Sequence, residues 1–350
     1  MQPIERNNRI DTLDYIRGFA LVGIILVNIL ALLSVKIPDS DTFGQTYQRF
    51  LLLFVEGRFF TIFSFLFGVG FYLFISRARA KGENGVLLFV RRMSALLLMG
   101  IIHMVFHPGE ALAIYAICGL IILPFHRMKK EINLIIGLAL LIWTSYLSLK
   151  ALMPLPLILL GYVAGQYQVF EDLHKKVRGT AIFTIAMFVL SAIGLLIQYK
   201  HVPSEPFYPY ILEGVSDPVI EQISEFLEIG LMIGPFISAF YVGMLILLLQ
   251  LPVMQKVLSP LKYYGRMALT NYLMQTVLIL LAGYLFGLFD RFSYMQSLFL
   301  CIGICLFQFI FSKIWLHFFL YGPMEWIWRL WTYFKVPAFM KNRKTLSSSS

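Results

Sequence analysis

Apolar positions in this chain come in long unbroken runs, separated by short polar or charged breaks. A helix needs about 20 apolar residues to cross a bilayer. Ten runs approach that length, at 13–35, 57–76, 88–107, 110–126, 132–149, 151–167, 180–199, 227–250, 264–288 and 295–320. The sixth is short and carries Pro154 and Pro156. None alternates with period two, which excludes an outer-membrane barrel. The pattern predicts an all-α, polytopic transmembrane helical bundle of about ten helices.

The breaks sort by charge. Arg77, Arg79, Lys81, Arg91 and Arg92 surround the second, Arg127, Lys129 and Lys130 the fourth, Lys175, Lys176 and Arg178 the sixth, and Lys256 and Lys262 the eighth. The connection 201–225 holds Glu205, Glu213, Asp217, Glu221 and Glu225, with prolines at 203, 206, 209 and 218 and no Lys or Arg. By the positive-inside rule both termini are expected to be cytoplasmic and 201–225 external, in a multi-pass plasma-membrane protein. The first run is too long for a secretory signal and carries Asp14 and Arg17, so it is expected to stay as a span. Residues 1–334 read as a single membrane domain. Residues 335–350 read as a basic, serine-rich cytoplasmic tail, disordered near anionic lipid.

Composition sharpens the class. With 59% hydrophobic and 14% charged residues, the chain lies far from a soluble domain, at about 45–50% apolar and about 25% charged. The net charge of +10 then reflects cytoplasmic loops meeting lipid headgroups, and nucleic acid is not an expected partner. Cys118, Cys301 and Cys305 lie within apolar runs, without the spacing of a disulfide framework or a zinc site. No metal ligands are assigned.

Ionisable groups inside spans are costly and point to function. On the first span Asp14, Arg17 and Asn28 fall within a stripe of about 60°; a cavity lining and a self-neutralised Asp14/Arg17 pair at the helix end are both consistent with it. Glu56 and Arg58 open the second span, as an interfacial pair or as part of a site. Arg91 and Arg92 start the third span, and His103 follows about 16 Å along the axis from Arg92. His107, Pro108, Gly109 and Glu110 then turn into the next helix, which carries Tyr115. A neutral His103 is a candidate base, and a carboxylate such as Glu110 would fix its tautomer. Arg266, Asn271 and Gln275 extend inward along the ninth span. Glu325 and Arg329 read as an interfacial pair within an aromatic belt. Two layers result. Asp14, Arg17, Arg91, Arg92 and Arg266 make an arginine-rich layer suited to a phosphate-bearing ligand. Glu56, Arg58, His103, His107 and Glu110 make an acid/base layer.

Several motifs together resemble the YeiB-like family of bacterial integral membrane proteins. They are Leu13-Asp14-x-x-Arg17-Gly18 with Gly23 and Asn28, Glu56-Gly57-Arg58-Phe59-Phe60 with Phe65-Leu66-Phe67-Gly68, and Arg91-Arg92 leading to His103. Tyr264-Gly265-Arg266-Met267-Ala268-Leu269-Thr270-Asn271-Tyr272 and Gly322-Pro323-Met324-Glu325-Trp326-x-Trp328-Arg329 complete the set. Where the family usually has Gly-Asp after the histidine, this chain has Gly109-Glu110, which keeps the carboxylate and changes its reach. The opening motif is distantly similar to that of transmembrane acyltransferases, including the heparan-glucosaminide acetyltransferase group. The resemblance implies an acyl-CoA-like donor as a co-substrate rather than a resident cofactor, bound by Arg17, Arg91, Arg92 and Arg266; Asp14, Asn28 and Asn271, on the same polar faces, are assigned to the donor with them. It implies His103 and Glu110 as the catalytic pair, with Glu56, Arg58, His107, Tyr115 and Gln275 as further polar site residues. A glycan, lipid or small-molecule acceptor is the implied partner, beside the surrounding membrane lipids; the oligomeric state, a homodimer included, is left open. A transporter or exporter lined by the same residues, and a non-catalytic membrane partner protein, remain alternatives.

Overall fold

The computed structural model describes residues 10–207 and 218–341. Met1 to Arg9, Pro209, Glu213, Asp217 and the serines at 347–350 lie outside the described residues. The helices in order are α1 (Asp11–Leu32), α2 (Phe43–Phe50), α3 (Arg58–Ala80), α4 (Gly85–Met104), α5 (Leu112–Ile122), α6 (Lys130–Tyr146) and α7 (Pro154–Gln166). They continue as α8 (Val177–Lys200), α9 (Pro218–Leu248), α10 (Pro252–Val257), α11 (Ser259–Arg266), α12 (Ala268–Phe286), α13 (Tyr294–Phe318) and α14 (Pro323–Tyr333). Apart from one antiparallel bridge between Phe319 and Met340, the described residues contain no strand. The protein is an all-α polytopic membrane bundle.

Local chemistry sets the helix starts. Thr42 and Asn84 accept backbone N–H bonds from Gln45 and Leu87, and Ser293 forms a reciprocal capping box with Gln296, each satisfying first-turn donors that would otherwise stay open. Proline occupies the first turns of α7, α10, α11 and α14, where its missing N–H costs nothing.

All ten apolar runs are helical, but they divide into two kinds. Among the described residues seven helical stretches are long and apolar enough to span. α5, α6 and α7 have 11, 17 and 13 residues. At 1.5 Å per residue the shortest two reach only about 17–20 Å, short of a hydrocarbon core of about 30 Å. α7 compensates by protein contact: it lies along α3, and most of its residues are buried. A Cβ at Gly68 would collide with the Ile158 carbonyl, and one at Gly161 with the Phe65 carbonyl. The two backbones touch in the small-residue manner of membrane helices.

Several boundaries differ from the sequence pattern. α9 begins at Pro218, so Glu221 and Glu225, expected in the external connection, lie on a helix. The expected span 264–288 is broken at Met267, because the Glu325 carboxylate accepts from the N–H groups of Leu269 and Thr270 at 2.7 and 3.2 Å and so starts α12 afresh. The tail from Lys335 to Lys341, expected to be disordered, folds back on α13. Leu320 N–H donates to Phe339 O at 3.0 Å and Lys341 N–H to Phe318 O at 3.0 Å, while the Phe339 ring packs on Phe319, Trp315 and Trp326. The expected aromatic belt is also spent on protein. Trp326, Trp328 and Trp331 donate to Pro337 O, Arg92 O and Ser94 Oγ.

Candidate functional site

α1, α3, α4, α5, α11, α12 and α14 line a cavity of about 1130 Å³. Along α3 its wall runs from Phe60 through Phe63, Phe67 and Gly70 to Phe74, fourteen residues or about 21 Å of helix. Polar groups gather at its two ends, and phenylalanines with Met93 and Leu96 line the length between them.

At one end stand Arg17, Arg92, Arg266 and Arg329, with Glu325 the acid among them. Arg17 reaches in from α1 while bonded to buried Asp14 at 3.1 Å. The Arg92 guanidinium lies 3.5 Å from the Trp328 ring centre and 5.1 Å from that of Phe74. Arg329 stacks on Tyr321 at 4.2 Å. Aromatic stacking holds a guanidinium flat without consuming its N–H donors, which stay able to grip an anion.

The other end contains Asn28, Glu56, His107, Lys150 and Tyr272. Lys150 pairs with Glu56 at 2.7 Å. The turn after α4 builds the acid/base cluster. Glu110 accepts from the N–H groups of Leu112 and Ala113 at 2.7 and 2.6 Å, capping α5, and its Oε2 lies 3.5 Å from His103 Nδ1. His103 Nε2 is 2.9 Å from Thr276 Oγ1 on α12, which is 3.4 Å from His107 Nδ1. Burial, with His103 beside it, pushes the His107 imidazole down to about 4 against the pull of Glu110. His107 is therefore a neutral base at neutral pH.

The expected residues thus separate. Arg17, Asn28, Glu56, Arg92, His107, Tyr115 and Arg266 line the cavity; the Tyr115 hydroxyl is 3.1 Å from that of Ser64. Asp14, His103 and Glu110 are buried behind this lining and touch it through Arg17 and Thr276. Four others lie elsewhere. Arg91 turns away onto the Phe334 ring at 4.5 Å. Arg58 is buried, donating to the carbonyls of Leu53, Glu56 and Gly230 and to Gln198 Oε1 at 2.7–3.2 Å, so it ties α3 to α8 and α9 and forms no pair with Glu56. Asn271 and Gln275 join α12 to its neighbours: Asn271 Nδ2 donates to Tyr264 O and Ser312 Oγ, and Gln275 Nε2 to Leu21 O and Tyr264 Oη. A span's polar face can serve a helix seam as readily as a cavity.

Thr276, Tyr272, Lys150, Trp328 and the Glu325/Arg329 lining were not expected at the site. Glu325 and Arg329 form no pair with each other; one caps α12 and the other stacks on Tyr321. Their signal lay in the closing motif, where an acid and an arginine recur with tryptophans. Thr276 carries no such signal. Among the described residues no group of three His, Cys, Asp or Glu is placed to hold a metal ion.

Fold and cavity together define a polytopic helical membrane protein with a cavity lined by arginines at one end and by His107 at the other. Residues 9–174 match the family model "Heparan-alpha-glucosaminide N-acetyltransferase, catalytic", and residues 164–335 match "Protein of unknown function (DUF418)". An uncharacterized 39.9 kDa protein from the amylase 3' region of Bacillus acidopullulyticus is 56% identical, over 97% of this chain and 99% of its own. YxaH of Bacillus subtilis is 28% identical over 98% and 99%, and YeiB of Escherichia coli 25% identical over 91% and 94%. The chain belongs to the YeiB-like family.

Proposed function

We propose that this protein is a transmembrane acyltransferase, taking an acyl group from an acyl-CoA-like donor at the arginine end and passing it to an acceptor at the histidine end. The observation that carries the reading is that one cavity joins Arg17, Arg92, Arg266 and Arg329 to His107. The match of residues 9–174 to an acetyltransferase catalytic model supports it. Phosphates sit against the arginines, by charge-assisted hydrogen bonds. The donor arm runs along the phenylalanine-lined length and brings the thioester carbonyl to His107.

His107 takes the proton of an acceptor hydroxyl or amine as that atom attacks the carbonyl carbon. The new C–O or C–N bond forms, the C–S bond breaks, and the proton passes to the departing thiolate. The aromatic length keeps water from the thioester and offers a migrating anion no partners, which argues against passage of the whole charged ligand. In this reading the arginine end faces the cytoplasm of a bacterial plasma membrane, as do both termini.

The test is turnover of radiolabelled acyl-CoA by purified protein in nanodiscs supplied with membrane-extracted acceptors. His107→Ala lowers kcat by at least about a hundredfold, the lower range for a lost general base, while Arg92→Ala raises KM for the donor. Unaltered turnover in His107→Ala overturns the assignment. Solute flux into proteoliposomes without chemical change replaces it by transport.

A further inference from the structure

Thr276 sits between two imidazoles that come from the other side of the cavity wall, with its hydroxyl 2.9 Å from His103 Nε2 and 3.4 Å from His107 Nδ1. A threonine hydroxyl has one proton to give and lone pairs to receive. The order of donors around it follows from the carboxylate. Glu110 already accepts two backbone N–H groups, which holds it as an acceptor towards His103 Nδ1. His103 therefore carries its proton on Nδ1 and presents a bare Nε2. Thr276 donates to that nitrogen, so its oxygen receives the proton of His107 Nδ1. His107 is left with a bare Nε2 that has no hydrogen-bond partner among the described residues, in a side chain that lines the cavity.

We infer that Thr276 is a positioning residue and proton conduit for the acyl transfer proposed above: it sets the tautomer that makes His107 Nε2 the base, and links His107 to the His103–Glu110 pair. When Nε2 takes the acceptor's proton, the Nδ1 proton of His107 moves to Thr276 Oγ1 as the hydroxyl proton moves to His103 Nε2. Until the leaving group is protonated the chain of groups holds one extra proton, the acceptor's. The positive charge leaves an imidazole that meets the cavity and comes to rest on His103 beside the Glu110 carboxylate, where it is better stabilised. Reversal returns a proton to His107 Nδ1, and the Nε2 proton then passes to the thiolate leaving group.

The inference rests on the acyl-transfer reading for its chemistry, but its tautomer claim stands apart from turnover. In 15N-histidine NMR of the full-length protein, His107 is expected as the Nδ1–H tautomer. Thr276→Val, which keeps shape and loses the hydroxyl, converts it to a mixture, and Thr276→Ser restores it. In turnover, Thr276→Val lowers kcat by about a hundredfold with the donor KM unchanged, and Thr276→Ser stays within about threefold, since it keeps the same proton-transfer group. An unchanged His107 tautomer in Thr276→Val overturns the inference even where turnover is measured. The expected tautomer shift in protein that shows no turnover with any donor keeps the hydrogen-bond assignment and removes the acyl-transfer reading instead.

Discussion

His103 and His107 lie four residues apart and differ in what they face, and the difference sets their chemistry. His107 meets the cavity and has its neutral form favoured by burial and by His103; His103 meets Glu110 and Thr276. Activity that depends on neutral His107 is therefore lost only as pH falls through about 4, well below the ordinary histidine value of about 6.5. A kcat profile with its acid limb near 6.5 would assign the base to another group. Arg58 illustrates the opposite use of an intramembrane charge. Two of its four bonds reach across to α8 and α9, and Arg58→Ala strands buried carbonyls at about 1–3 kcal/mol each. Thermal unfolding in detergent should drop sharply for Arg58→Ala, while donor binding in the protein that remains folded is unaffected. At this scale the turn His103 to Glu110 was legible because its members are neighbours in sequence. Thr276 was not, since 173 positions separate it from His103 and a threonine in an apolar run is ordinary helix-packing material.

Among the helices, apolar run length located every span but not its neighbours. The short α5 and α7 read like their longer companions, because hydropathy counts residues and is blind to whether protein or lipid covers them. The seam between α3 and α7 makes up the difference, and its tolerance is small. Gly68→Leu pushes a side chain into the Ile158 carbonyl and costs about 1–3 kcal/mol or more by overpacking; a lower melting temperature with partial proteolysis near α7 is the expected result, and an unchanged melt would show the seam to be loose. The break at Met267 was equally hidden. Tyr264 to Tyr272 reads as one helix until Glu325, contributed by α14, supplies the acceptor that begins α12. A cap that comes from another element leaves no mark in the local pattern.

For the molecule as a whole, the two-layer arrangement of charge was readable from the order of polar residues along alternating spans. That the layers bound one chamber was not, because Asn271 and Gln275 share the same polar faces yet close a seam. The chamber's orientation is open to a direct test. Cys118, Cys301 and Cys305 are all buried, so background labelling is low. In intact cells a cysteine replacing exposed Lys150 should react with a membrane-impermeant maleimide. One replacing Arg329 should react only after the membrane is permeabilised, and the reverse pattern would invert the proposed direction of transfer.

The two family models meet at α7, and the chamber draws on both sides of that junction. Arg17, Arg92, His103 and His107 come before it; Arg266, Thr276, Glu325 and Arg329 come after it. On the proposed mechanism each half taken alone is an incomplete reagent, one holding His107 without the hydroxyl of Thr276 and the other that hydroxyl without His107. The halves therefore behave as mutually dependent subunits that happen to share a peptide chain. A nick in the connection between α8 and α9 should leave two pieces that are inert apart and that regain function when they are made together.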